Sequence, residues 1–460
     1  MKHSDKIVLV VVLAMIMASC KVTQPYRRAA GVAGNDLYRD VNTTDTATIA
    51  DIPWQQMFRD TLLQQLISEG ISNNNDLKIA VTRIRAAEAN YQQSKAAFFP
   101  SLSANAGITA QKLPAYQLGS SNIYQLYMSS SWEVGVWGKL KSAKRAALAA
   151  LLQSDAYRRA VQTQLIANIA TSYYALQAYD AQLQTTIATV ENRKQDVETM
   201  KILKESDVVT GAAVVQSQAN QYSVAITIPD IKQNIRETEN TICILLGKSP
   251  GSIVRDSLKN ELVTVDLKTG IPVQLLANRP DVQEAEYQLR NATELTNVAR
   301  TYFYPSLNLT AEGGLGSNTL SHFFDASNIL GNVIGGLTQP VFNNGLNKQR
   351  LKVAQAQQEE YLYTFRQTLL TAGQEVSNAL FDYQTASDKI ALRGEQILYL
   401  QKSVEFTKAL LRYTATTNYT DVLTSEQSLL AAQLNSIGDK LQQLQAVVTL
   451  YRSLGGGWKN

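Results

Sequence analysis

The most regular feature of the chain is a hydrophobic repeat of seven residues between positions 346 and 412. The segment contains no proline, so no residue in it forces a helix to end. A sustained seven-residue spacing predicts a helix packed in a left-handed coiled coil. At about 1.5 Å per residue, this helix would be about 100 Å long. The repeating positions are Leu362, Leu369, Val376, Tyr383, Ile390, Ile397, Val404 and Leu411.

The chain contains two copies of one unit. The segment FFPSL at 98–102 returns as FYPSL at 303–307, about 205 residues further on. The heptad positions of the long segment have counterparts at Ile169, Leu176 and Val197 at nearly the same separation. We therefore divide the chain into a signal peptide, an arm that leads into the first helix, a first repeat, a linker and a second repeat. Their ranges are 1–19, 20–60, 61–250, 251–275 and 276–460.

Both copies predict the same order of elements: a first helix, two strands, a long helix, a tight turn and a return helix. The first helix ends at the aromatic-proline step, because proline disfavours a helical residue before it. In the first return helix, Pro229 predicts a kink. The predicted helices are 61–98, 139–204 and 212–246 in the first copy, and 282–303, 346–412 and 421–454 in the second.

The strand segments alternate between apolar and polar residues, which predicts strands with one apolar face. In the first copy the alternation covers 101–109, and after a loop at 111–121 it resumes from Tyr124 to Trp132. The second copy alternates over 306–313, with a loop near 318–325 and a weaker return strand at 329–342.

Strands of this length fit a membrane, since a tilted strand of about 9 to 11 residues spans a bilayer. In lipid every backbone N–H and C=O needs a partner, so the sheet must close. Four strands are too few, because membrane barrels begin at about eight strands. A dimer would supply eight strands and a trimer twelve, and the pattern does not choose between them. The long helices would continue the barrel as a coiled-coil cylinder. The alternative is a coiled-coil scaffold whose strands pack on its own helices.

The amino-terminal residues predict export and lipid anchoring. Lys2 and Lys6 precede an apolar run at 7–17, and Ala18 and Ser19 lead to Cys20. Small residues directly before a cysteine resemble a bacterial lipobox, in which the cysteine is acylated; an ordinary signal peptide is the alternative. Lys21 is not the aspartate that retains many lipoproteins at the inner membrane. We therefore expect a protein of the outer membrane of a diderm bacterium, anchored by lipid and also spanning the membrane.

Composition excludes several other classes of function. Charged residues make up 18% of the chain and the net charge is +4, too weak a balance to indicate nucleic acid binding. Two histidines and two cysteines provide neither a zinc site nor a disulfide framework. No phosphate-binding loop or hydrolase motif occurs. We expect neither an enzyme nor a cofactor.

Several motifs together resemble the TolC-like outer membrane efflux protein family, in its lipoprotein branch of NodT-type factors. They are NRPD at 278–281 with AE at 285–286, YFYPS at 302–306, QPVF at 339–342 with Gly345, and YTDVL at 419–423 with EQ at 426–427. The resemblance covers almost the whole mature chain. One departure is Gly135, where relatives often have an acid before the Trp-Gly step.

The resemblance implies a homotrimer with a twelve-stranded barrel and a helical tunnel that narrows at its periplasmic end. It implies a mixed belt around the tunnel, and we expect 248–275 to contribute a strand with Val263, Val265 and Leu267. It also implies a periplasmic adaptor, an inner-membrane pump of the RND type and passive passage of small molecules such as drugs or metal ions. Two alternatives are one-step protein secretion through the same fold and a lipid-anchored coiled coil without a pore.

The resemblance places a gate where each long helix turns back. Asp421 matches the acidic position of the constriction, and three copies would form a carboxylate ring. Relatives can carry a second acid where this chain has Thr424, and Tyr413 matches a tyrosine that ties neighbouring helices. The alternatives are a helix-dipole role for Asp421 and simple packing for Tyr413. The expected adaptor contacts at the turns are Asp207, Val208, Thr210, Gly211, Thr416 and Asn418.

Overall fold

The computed structural model of the chain describes residues 22–28, 37–39, 45–112, 120–263, 266–413 and 419–459. These residues form two compact units, each assembled from distant parts of the sequence. The first unit holds the described residues of 1–30, 82–155 and 284–366, and the second those of 31–81, 156–283 and 367–460. The elements in chain order are α1 Trp54–Met57, α2 Thr61–Asn73, α3 Asn75–Ala96, β1 Ser101–Lys112, β2 Ser120–Val134, α4 Lys139–Glu205, α5 Gly211–Ala225, α6 Thr227–Leu245, α7 Leu275–Asn278, α8 Pro280–Thr301, β3 Ser306–Ser317, β4 Ile329–Thr338, α9 Leu346–Tyr413 and α10 Tyr419–Ser453.

The two long helices, α4 and α9, contain 67 and 68 residues. Their bounds differ from the predicted ones by a single residue at the carboxyl end. Leu369 and Val376 of the heptad pattern are fully buried, and Leu411 is also buried. Each helix is therefore about 100 Å long, at about 1.5 Å per residue.

The predicted single helix at 61–98 is wrong, because the chain breaks at Asn74 into α2 and α3. The buried Asn74 amide donates a hydrogen bond to the Leu245 carbonyl at 2.9 Å. Its oxygen accepts the Leu77 N–H at 3.0 Å and so caps α3. In the second copy the matching break is at Arg279, between α7 and α8.

The predicted kink in the first return helix is confirmed as a break between α5 and α6. Ile226 ends one helix and begins the next, three residues before Pro229. Proline cannot donate to the carbonyl four residues earlier, which belongs to Ala225, and its ring crowds that carbonyl. The second return helix, α10, runs unbroken over 35 residues.

The four strands form one antiparallel sheet in the order β1-β2-β3-β4, so β1 and β4 are its edges. Strands β1 and β2 extend into the segment expected as a loop at 111–121, because their cross-strand pairing continues there. Strand β3 extends past its predicted end to Ser317, where it still pairs with β2. Strand β4 ends at Thr338, earlier than predicted, ahead of Pro340, which has no N–H to donate to a ladder.

The register places most of the large apolar side chains on one face of the sheet, since directly opposed residues point to the same side; Ile123, Leu330 and Ile334 lie on the other face. Many of these side chains are exposed; Val333, for example, is 80% exposed. The opposite face is mostly polar, with Asn105, Gln125, Glu133 and Asn308. The large side chains of the apolar face are Leu102, Ile108, Leu126, Met128, Trp132, Leu307, Leu309, Leu315, Ile329, Val333 and Leu337.

The arm and the linker meet in the second unit, but without the predicted strand. Val263 and Leu267 belong to no strand, and Val265 lies outside the described residues. The arm and linker share one isolated bridge, between Thr48 and Thr269. An alternating pattern marks a segment that can form a strand but does not supply a pairing partner, and here the backbone turns into short 3-10 helices on either side.

Aromatic residues pack the later part of the arm into the second unit. Trp54 and Phe58 are buried, and the Phe58 ring lies 6.0 Å from the ring of Tyr451, edge to face. The Tyr451 hydroxyl donates to the Ile52 carbonyl at 2.7 Å. Within the described ranges, none of the helices is both long enough and apolar enough to cross a membrane.

Candidate gate at the ends of the long helices

A small hydrophobic core joins the ends of four helices in the second unit. It contains Met200 of α4, Leu411 of α9, and Tyr419, Val422 and Leu423 of α10. Val209 and residues of α5 pack against it. The two turns expected to form the gate are therefore linked through one packed cluster.

The turn after α4 reverses the chain through a left-handed residue, Asp207, with φ of 54°. The Val208 N–H reaches the Leu203 carbonyl at 2.9 Å, and the Asp207 N–H reaches the Lys204 carbonyl at 3.1 Å. This is the Schellman pattern of a helix end, which usually contains glycine at the left-handed position. Asp207 thus occupies a backbone position for which glycine is the usual residue.

The other residues predicted for this turn, Val208, Thr210 and Gly211, are exposed. Val208 is 56% exposed, and Thr210 precedes α5 without a side-chain cap. Gly211 is the first residue of α5 and is exposed. An apolar side chain held in solvent at a turn is available for contact with another protein.

At the turn after α9, Tyr413 is 83% exposed and ends the helix. Asp421 is exposed and lies in the first turn of α10. The Thr424 hydroxyl donates to the Thr420 carbonyl at 2.9 Å, within the same turn. Thr416 and Asn418 lie outside the described residues, as does Cys20.

A group of buried charges next to this hydrophobic core was not predicted. Arg193 is 2% exposed, and its Nη1 lies 2.8 Å from Glu426 Oε2. Lys408 Nζ lies 2.6 Å from Glu426 Oε1 and 2.8 Å from Asp196 Oδ1. Three helices, α4, α9 and α10, are thus tied together by two cations and two carboxylates.

The pKa shifts in this buried cluster follow from burial and pairing. Burial alone would lower the pKa of Lys408, but its hydrogen bonds with Asp196 and Glu426 raise that pKa above its ordinary value. Burial raises the pKa of Glu426, with the nearby Asp196 carboxylate adding to the effect. The two cations oppose this rise, because the hydrogen bond from Lys408 and the charge of Arg193 both lower the pKa of Glu426.

The sequence contained only part of the signal for this cluster. Arg193 follows Val190 by three residues and precedes Val197 by four, so it occupies a seam position of a coiled coil. Glu426 does not, because the seam of α10 steps by four from Leu430 to Leu434, which makes Gln427 the seam position before Leu430. A charge in a seam indicates a buried partner, but the pattern does not identify that partner.

A second motif, NRPD at 278–281, is explained by the structure as an anchor point. The buried Arg279 donates to the Ser453 carbonyl at 3.1 Å and bonds with Asp281 and Glu375. It thereby joins the start of α8 to α9 and to the end of α10. Its role is structural, since it ties three helices together from a buried position.

Potential metal ligands do not cluster in the described ranges: no three His, Cys, Asp or Glu side chains are grouped there. The exposed Asp421 contributes one carboxylate per chain.

These features define a class: a duplicated helical chain whose four-stranded sheet exposes an apolar face, as in outer-membrane ducts. The chain belongs to the outer membrane efflux protein family, whose model matches residues 66–248 and 271–456. The two matched segments correspond to the two predicted repeats. The family assignment confirms the predicted fold class, the outer-membrane localisation and the function as an efflux duct rather than an enzyme.

Relatives and solved structures agree with this assignment. The chain is 29% identical to a toluene efflux pump outer membrane protein, TtgC of Pseudomonas putida, over 97% of this chain and 94% of that protein. SilC of Salmonella typhimurium, named a probable outer membrane lipoprotein, is 28% identical over 96% and 97% of the two chains. The crystal structure of CusC, a transmembrane channel, matches with a TM-score of 0.85 and 27% identity, covering 95% and 99%.

Proposed function

We propose that three copies of this chain form a closed twelve-stranded barrel, continued by a cylinder of helices, as the exit duct of a tripartite efflux system. The observation that carries the proposal is the continuous apolar face on a sheet with two open edges. In lipid, unpaired strand edges are costly, so β1 and β4 require partners from other copies. Helices of about 100 Å rooted in these strands supply the length of a periplasmic tunnel.

The proposed partners are a periplasmic adaptor protein and an inner-membrane pump of the RND type. Relatives are named for the efflux of toluene, antibiotics and cations. We propose small molecules as the cargo of this duct, with passive passage and no cofactor. Secretion of proteins through the same fold is the competing function and is an outcome of the test below.

Lipid anchoring at Cys20 is part of the proposal and is supported by the path of the arm. Gln24 and Asn297 exchange two hydrogen bonds, of 3.0 and 2.7 Å. A Cβ atom on Gly138, just beyond β2, would lie 3.4 Å from Thr23 Cγ2. Thr23 therefore lies close to the end of the sheet, where the membrane surface is expected in the proposed duct.

The gate of the duct is proposed at the end of the helices. Three copies of Asp421 would form a carboxylate ring beside Thr424, a geometry that favours cations. The exposed Tyr413 would contact a neighbouring helix. The adaptor would contact the two turns through Asp207, Val208, Thr210, Gly211, Thr416 and Asn418.

Planar-bilayer recording tests the proposal directly. The purified full-length chain is expected to form ion-conducting channels. The Asp421→Ala variant, in which the proposed gate is weakened, is recorded beside it. No channel from either protein would overturn the duct. Crosslinking in cells should capture an adaptor and a pump; capture of a protein substrate within the channel instead would favour secretion.

A further inference from the structure

A recess of about 360 Å³ lies where the sheet of the first unit meets its helices. Glu133 and Asn308, which face each other on the polar side of the sheet, line one wall. The aromatic residues Trp137, Tyr302 and Tyr304 line another. Its size falls within the range of small-molecule sites, about 300 to 1,000 Å³.

The aromatic wall is held in place before any ligand arrives. The Trp137 indole N–H donates to the Pro305 carbonyl at 2.7 Å, and its ring lies 5.1 Å from that of Tyr304. The buried Asn347 amide donates to the Tyr302 carbonyl at 2.7 Å. A preformed wall lowers the ordering cost of binding a flat apolar group.

Two cations lie against one ring of this wall. The Arg350 guanidinium is 4.8 Å from the centre of the Tyr302 ring, and Lys139 Nζ is 5.0 Å from it. Lys139 bonds both oxygens of Glu133, at 2.8 and 2.9 Å. Among the described residues Arg350 has no carboxylate within ion-pair distance, so the recess holds one cation more than its acids balance.

We infer that this recess binds organic anions that carry a flat apolar group. The carboxylate or sulfonate would pair with Arg350, and the ring would lie against Trp137 and Tyr302. Arginine is suited to this task, since its planar fork matches a carboxylate. The inference rests on the proposed function only for the source of the ligand, because in the proposed duct the polar face lines the lumen.

Calorimetry on the detergent-solubilised full chain tests the inference with three probes of one size: 1-naphthoate, 1-naphthol and 1-naphthylmethylammonium. Naphthoate should bind more tightly than the other two, and added salt should weaken it. The Arg350→Gln variant should bind naphthoate at least about tenfold more weakly. Arg366→Gln is the matched control. Arg366, like Arg350, belongs to α9 and lies over a tyrosine ring, that of Tyr363.

A second variant, Asn308→Asp, places a negative charge in the wall and leaves Arg350 intact. It too should weaken naphthoate binding and leave naphthol unchanged. Equal affinity for the three probes, or equal losses in Arg350→Gln and Arg366→Gln, would overturn the inference. Channels that conduct normally but do not bind naphthoate would reject the recess alone, whereas binding without conductance would reject the duct alone.

Discussion

Asp421 lies in the first turn of α10, where a carboxylate interacts favourably with the helix dipole whether or not it forms a gate. The two roles differ in their consequences. A dipole contribution affects stability by about 0.3 to 1 kcal/mol at an exposed site. A carboxylate ring affects the passage of ions.

We predict that Asp421→Ala raises single-channel conductance and weakens block by divalent cations, because three negative charges leave the constriction. Single-channel recording with added Mg²⁺ or Co²⁺ measures both. The matched control is Asp230→Ala, since Asp230 is also an exposed acid in the first turn of a helix, α6. Unchanged conductance and unchanged divalent block in Asp421→Ala would show that Asp421 interacts only with the helix dipole and does not form a gate.

Removing the charge of Glu426 should destabilise the folded protein strongly, because its two cationic partners remain buried. Glu426→Gln leaves Arg193 and Lys408 with the single carboxylate of Asp196, and breaking a buried pair typically costs about 3 to 5 kcal/mol. Denaturant unfolding of the purified protein measures the loss. Glu198→Gln is the control, because its pair with Lys201 is exposed and should contribute under about 1 kcal/mol. Equal losses of unfolding free energy in the two variants would show that the buried cluster stabilises the fold no more than an exposed ion pair does.

The contact of the arm with α8 should depend on pH. Burial alone would raise the pKa of Glu286, but its bond with Arg28 and the charges of Arg290 and Arg28 hold that pKa below its ordinary value. A lowered carboxyl pKa contributes stability that is present above the unfolded value of about 4.3 and lost as pH falls through the folded value. Burial, together with the same carboxylate, raises the pKa of Tyr26 to about 12.

We therefore predict that residues 22–28 detach as the pH falls below the unfolded carboxyl pKa and Glu286 becomes protonated. Hydrogen exchange of the arm, measured between pH 3 and 6 and corrected for intrinsic rates, reports this release. In Glu286→Gln the arm should exchange rapidly at every pH. An arm whose exchange does not accelerate as the pH falls would contradict the linkage.

At the scale of elements, long patterns were predictable and local breaks were not. Seven-residue spacing located α4 and α9, and alternation located the faces of the strands, because both patterns extend over many residues. Asn74 resembled any polar residue of a helix, since only its bond to the distant Leu245 carbonyl makes it a cap. Likewise, the pairing of Arg193 with Glu426 required knowing how α4 packs on α10.

The cap at Asn74 gives a test at this scale. Asn74→Ala removes the cap of α3 and leaves the Leu245 carbonyl without its donor, which should cost about 1 to 3 kcal/mol. Thermal unfolding of the solubilised protein measures the change. The neighbouring Asn75→Ala is the control, because Asn75 is exposed. A similar loss in both variants would mean that Asn74 does not fix the break.

At the scale of the whole molecule, the sheet could be predicted from the residue pattern, whereas the candidate gate could be predicted only from motifs. The faces of the sheet followed from residue alternation, whereas the number of copies came only from the family resemblance. The gate residues were placed by motif, because no periodicity distinguishes Asp421 from other exposed acids. An experiment on the assembly is therefore the most informative one, because the residue pattern does not give the number of copies.

Two neighbouring positions of β4 test the assembly. Val333 lies on the apolar face and Asn332 on the polar face, and both are exposed in the single chain. A lysine in contact with lipid costs up to about 2 to 4 kcal/mol per chain near the bilayer midplane. Val333→Lys should therefore lower the yield of inserted oligomer, measured by gel mobility of membrane extracts, while Asn332→Lys should not. Equal yields would argue against a lipid-facing sheet.

The nearly equal lengths of α4 and α9 restrict how such a chain can change over evolutionary time. Removing seven residues from one helix keeps its hydrophobic phase but withdraws its end by about 10 Å, one heptad at 1.5 Å per residue. The core that unites Met200, Leu411 and Tyr419 would then lose its members from one repeat. A lineage can therefore lengthen or shorten these helices only by paired changes in both halves of the gene, in steps that preserve the heptad.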